Sequence, residues 1–269
     1  MNADPAALGA LGLVAALVLA LPASSPAVAQ SEEPEAGAEA TAEVFVEANQ
    51  AYEEGSYALA VEGYRSLVAA GVAGPAVLYN LGNALLRDGR LGAAIASYRR
   101  AAVQAPREED LEANLRFARE SARDALEPPG PGALRKTLLF WHYTLSWDET
   151  LRAAILVQAL LFGALSLLLR RRESEPLRWL AGAAAVVLLA LVFSLVVRWA
   201  LPLRVAVVLP AEVEIHSGTD LESVVRFRLH AGTEVRALDV REDWVRISLP
   251  DGEQGWLPAE HVELLTDLR

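Results

Sequence analysis

Four histidines, His142, His216, His230 and His261, are the side chains best suited to proton transfer or metal ligation in a 269-residue chain that has no cysteine. Imidazole titrates near neutrality and can ligate zinc, but a zinc site needs ligands at short paired spacings. None of the four stands at such a spacing. His216 and His230 are therefore expected to cap turns, and His142 to be a plain polar group at a membrane boundary. Glu108-Glu109-Asp110 gathers three acids, yet acids at a helix start simply favour the positive end of the macrodipole. No Gly-rich phosphate loop, serine elbow or His-Glu-x-x-His pattern occurs. Without cysteine there is no thiolate nucleophile or thiolate metal site. These residues argue against an enzyme and imply no cofactor, no catalytic residue and no metal ligand.

A second set of residues is suited to recognition. Sliding the chain against itself by 34 positions superposes Asn49, Gly55, Ala60 and Tyr64 on Asn83, Gly89, Ala94 and Tyr98, with Tyr57 falling on Leu91. In the second copy Gly82 and Ala94 let two antiparallel helices approach, Tyr98 fills the groove between them, Gly89 permits the turn and Pro106 stops the helix. The first copy, Val44 to Gly71, is weaker, with Glu47 and Ala48 where Leu81 and Gly82 stand later. Asn114-Leu115 continues the phase and predicts a capping helix from about Glu108 to Leu126. These positions resemble the tetratricopeptide repeat. The resemblance implies an all-α solenoid over residues 43–127 whose concave face holds an extended peptide or a partner helix. Candidates on that face are Asn49, Tyr52, Tyr79, Asn80, Asn83, Arg87 and Asn114, although the asparagines can equally serve to brace neighbouring turns. Repeats that grip a C-terminal carboxylate place cations beside such asparagines. Here Phe45 and Asp110 stand where Lys would be expected, which argues against that use.

Two apolar runs, 151–169 and 179–201, are each long enough for a transmembrane helix. The connector 170–178 carries four arginines, and short Arg-rich loops stay in the cytoplasm. A multi-pass protein of the bacterial cytoplasmic membrane is thus expected, with both flanking domains extracytoplasmic. Residues 1–29 have the apolar run and the Ala27-Val28-Ala29 site of a cleaved signal peptide, but Met-Asn-Ala-Asp lacks a cation, so an uncleaved anchor is the alternative. Residues 30–42 read as a disordered leader. Residues 128–150 read as a Pro-rich linker followed by an aromatic segment lying in the membrane interface, with Phe140, Trp141 and Trp147 in the boundary.

From 203 to 265 the period changes to that of strands, five or six of them, separated by Pro210, Ser217-Gly218, Gly232, Glu242-Asp243 and Pro250-Asp251-Gly252. Trp244-Val245-Arg246-Ile247 and Asp251-Gly252-Glu253-Gln254-Gly255-Trp256-Leu257 resemble a bacterial SH3-like domain, which implies a small all-β barrel. Trp256 is expected in its core. Trp244, after an acidic turn, is the ligand candidate, with core or rim packing as its other role.

The formal net charge is −11, and both flanking domains are acidic, which argues against nucleic acid as a partner. Taken in order, the modules resemble the BatE family of the Bacteroides aerotolerance set. That resemblance implies a noncatalytic scaffold working with von Willebrand factor A-type membrane proteins and a MoxR-type ATPase in envelope stress tolerance. The competing reading is a cell-wall protein that binds peptidoglycan through the SH3-like domain.

Overall fold

The computed structural model describes residues 34–124, 126–129, 133–200 and 204–266, so the signal peptide expected over 1–29 lies outside the described residues. The chain divides into two compact units, Met1–Ala40 and Thr41–Arg269, and the second holds both the repeat and the strands. Helix α1 (Pro34–Glu53) begins inside the stretch 30–42 expected to be unstructured. Alanine and glutamate, which dominate that stretch, are strong helix formers, and propensity carries the helix back where burial does not.

Helices α2 (Tyr57–Ala69), α3 (Pro75–Arg87), α4 (Leu91–Gln104) and α5 (Glu109–Glu120) follow, each packed on the next. Gly55 and Gly89 both take positive φ, +79° and +80°, and turn the chain between the two helices of each pair. The close approach of the paired helices is achieved differently in the two copies. A Cβ at Gly82 would lie 2.5 Å from the Tyr98 ring. In the first copy Ala48 replaces that glycine, and the space is recovered on the facing helix, where a Cβ at Gly63 would lie 2.8 Å from Ala48 Cβ. Tyr64 and Tyr98 are fully buried in the resulting core.

Two short helices, α6 (Ala133–Leu138) and α7 (Phe140–Thr144), lead into α8 (Trp147–Arg170), which pairs with α9 (Glu175–Ala200). Ser146 and Glu149 form a reciprocal capping box that starts α8. Both long helices exceed their expected spans, so the connector shrinks from 170–178 to residues 171–174. Pro176 sits in the first turn of α9, where its missing N–H costs no helical bond. Each of the two is long and apolar enough to cross a membrane. Small residues, Ala154, Ala164, Ala181 and Ala184, are buried within the hairpin, while Leu156, Val186, Leu189 and Phe193 remain uncovered. An uncovered apolar surface of this kind calls for an apolar surrounding. Trp141, Leu145 and Trp147 pack on the hairpin's own core. Arg198, near the end of α9, donates to the carbonyl oxygens of His142 and Leu145, and His142 Nδ1 lies 2.7 Å from Ser194 Oγ.

The strands β1 (Arg204–Val208), β2 (Glu212–His216), β3 (Val225–His230), β4 (Glu234–Arg241), β5 (Trp244–Ser248), β6 (Gln254–Pro258) and β7 (Val262–Thr266) form one antiparallel sheet in the order β3-β2-β6-β5-β4-β1-β7. Seven strands thus replace the five or six expected. Val213, Ile215, Leu229, Val235, Val245, Ile247 and Leu257 supply the buried face.

The sheet docks on the repeat. A Cβ at Gly92 of α4 would lie 2.2 Å from the Val208 carbonyl oxygen, and Val207 joins the helical core. Glu234, whose side chain is 3% exposed, accepts from Arg119 Nε and Nη2 at 2.6 and 3.2 Å and meets Arg99 Nε at 2.9 Å. Asp124 accepts from the His230 amide at 2.8 Å and from Thr233 Oγ1 at 2.6 Å, and its other oxygen lies 2.8 Å from His230 Nδ1. Burial alone would raise the Asp124 pKa, but the Thr233 and His230 hydrogen bonds outweigh it and hold the carboxyl below its usual value.

Candidate functional site

A cleft of about 230 Å³ opens on the helical layer, lined by Asn49, Tyr52, Glu53, Tyr64, Asn80 and Asn83. Its floor is a hydrogen-bonded ladder that repeats with the sequence. Tyr64 Oη donates to Asn49 Oδ1 at 2.6 Å and Asn80 Nδ2 to the same oxygen at 3.1 Å. One repeat later, Tyr98 Oη donates to Asn83 Oδ1 at 2.7 Å and Asn114 Nδ2 to that oxygen at 3.0 Å. Asn114 Nδ2 also donates to Tyr79 Oη at 2.9 Å. Burial pushes the Tyr64 hydroxyl up to about 12 and raises Tyr98 as well, so both stay protonated and serve as donors near neutral pH.

The asparagines brace the helices, and Asn49, Asn80 and Asn83 also line the cleft. Each Oδ1 of Asn49 and Asn83 is taken by two internal donors, which fixes the carboxamides and braces the helices. The Nδ2 groups of Asn49 and Asn83 have no acceptor among the described residues, and both side chains line the cleft. Such a pair is suited to carbonyl oxygens of an extended chain.

No protein-family model matches the chain, and neither does any curated protein.

Of the seven groove candidates, Asn49, Tyr52, Asn80 and Asn83 line the cleft, while Tyr79 and Asn114 support it from the ladder. Arg87 is turned aside. Its Nη2 donates to Tyr57 Oη at 2.6 Å and its guanidinium carbon lies 4.9 Å from the centroid of that ring. Tyr57 in turn makes an edge contact with Tyr52, at 5.4 Å between centroids. Two lining residues, Tyr64 and Glu53, were absent from the expected set. Tyr64 could have been inferred from its buried counterpart Tyr98, and Glu53 from its place one turn after Asn49.

Trp244 lies on the sheet, apart from the cleft. It is half-buried and meets the His216 ring edge-on at 5.7 Å. Trp256 beside it is buried under the Arg241 guanidinium at 5.2 Å. Residues that hold the sheet come from α4, α5 and the turn after it, whereas α1, α2 and α3 line the cleft, which stays open.

Proposed function

We propose that this protein is a noncatalytic, membrane-anchored scaffold whose tetratricopeptide-like layer receives a partner segment and whose SH3-like sheet offers a second contact. One observation carries the reading. The Nδ2 groups of Asn49 and Asn83 are left toward a cleft lined by α1, α2 and α3, while the sheet packs on α4, α5 and the turn after it and leaves that cleft to a partner. Contact between domains that flank the two apolar helices supports a hairpin that leaves and returns to the same side of a membrane. The Arg-rich connector supports that side being extracytoplasmic. Confinement to one plane raises the effective concentration of whatever the two surfaces hold.

The module order supports a BatE-like complex with von Willebrand factor A-type membrane proteins and a MoxR-type ATPase. Co-purification of the tagged full chain in mild detergent tests the scaffold. Partners bound by the natural chain should be lost from the Asn49→Ala, Asn83→Ala double variant, and an unchanged partner set would refute the cleft as the binding surface. The half-buried Trp244 favours a second reading, peptidoglycan binding by the sheet. Retention of the full chain on purified sacculi that disappears with Trp244→Ala would establish that reading in place of protein partners.

A further inference from the structure

The charge of the cleft points to the chemistry of its occupant. Among the described lining residues Glu53 is the only Asp, Glu, Lys or Arg. Arg87 occupies the place one repeat after Glu53, and its guanidinium is held against the Tyr57 ring and hydroxyl, outside the lining. Asp110, four residues before Asn114 on the same helix, is an exposed acid outside the described lining. The chain's own segment 31–42 carries Glu32, Glu33, Glu35 and Glu39, the wrong sign to fill such a cleft.

Resting on the scaffold reading above, we infer that the cleft selects a cationic, extended partner segment. A Lys or Arg of that segment would pair with Glu53 while its carbonyl oxygens accept from the Asn49 and Asn83 amides. Binding of fluorescein-labelled peptides to the full chain in nonionic detergent, read by anisotropy, tests this with three probes of equal length. One alternates Lys with Ala, one Glu with Ala and one Ser with Ala. The Lys peptide should bind about two- to fivefold more tightly than the Ser peptide at low salt, and the Glu peptide more weakly than either.

Glu53→Gln should weaken binding about two- to fivefold at low salt, the range of an exposed ion pair. Glu53→Arg should weaken binding further than Glu53→Gln, and Glu222→Gln, an exposed acid in the turn before β3, should leave it unchanged. Glu53 is exposed, so these variants do not test folding. Equal binding of the Lys and Glu peptides, no binding of the Lys peptide, or equal losses for Glu53→Gln and Glu222→Gln would overturn the charge rule. A Ser peptide held as tightly as the Lys peptide, and lost on Asn83→Ala, would overturn the charge rule while leaving the cleft as the site. Lys-peptide binding that survives both Asn49→Ala and Asn83→Ala would overturn the cleft itself.

Discussion

Replacing Arg119 with Ala tests whether the repeat and the sheet are held by the buried ion cluster. The natural side chain donates two bonds to Glu234, at 2.6 and 3.2 Å, and its loss leaves that carboxylate with Arg99 alone. Hydrogen bonds to a charged group contribute about 1.5–3 kcal/mol, and a buried carboxylate left short of partners adds to the loss. Arg119 is 31% exposed at its side chain and regains water when freed from Glu234, which places the docking cost near the lower end, about 1–2 kcal/mol. The His230 amide reports the contact, because it donates across the interface to Asp124 Oδ2 at 2.8 Å. At about 1.4 kcal/mol per tenfold, Arg119→Ala should speed hydrogen exchange at that amide roughly 5- to 30-fold. Arg119→Lys, which keeps the charge and loses the fork, should fall between. Exchange at His230 that does not change in Arg119→Ala would refute the ion cluster as the lock.

Three further outcomes follow from the same contacts. Gly92→Ala drives a Cβ into the Val208 carbonyl, a backbone atom that cannot swing away, and should destabilise the docked unit by about 1–3 kcal/mol in denaturant unfolding. Tyr98→Phe keeps the buried ring but removes one of the two donors to Asn83, and should cost about 0.5–1.5 kcal/mol, against about 3–5 for Tyr98→Ala. The Asp124 carboxyl is held below its unfolded value, so its contribution to docking is complete above about pH 4 and is lost as pH falls through the lower folded value. His230 amide exchange should accelerate over that acid window in the natural chain, and Asp124→Asn should remove the dependence.

Much of the helical layer was legible because its contacts are local or periodic. The 34-residue spacing of Asn49 and Tyr64 with Asn83 and Tyr98 became a repeated hydrogen-bond pattern, and the two apolar runs became a helical hairpin. Arg87 was misplaced because a count along a helix face cannot see that Tyr57, on another helix, competes for the guanidinium. The first copy looked weak for a similar reason: Ala48 reads as a loss until the facing Gly63 is seen to restore the space. Docking of the sheet left no trace in the sequence. Arg119 and Glu234 are 115 residues apart, and each alone reads as an ordinary surface charge. His230 was expected to cap a turn, and the structure gives it Asp124, 106 residues away, as a partner.

The proposed scaffold requires the repeat and the sheet to share the outer side of one membrane. A chain without cysteine allows a direct measurement, since an introduced thiol is the only one present. Glu120→Cys on α5, Asp251→Cys before β6 and Glu173→Cys in the Arg-rich connector would each be treated in intact cells with a membrane-impermeant maleimide. Positions 120 and 251 should label at once, and position 173 only after lysis. Labelling at 173 in intact cells, or protection of either 120 or 251 until lysis, would contradict the account.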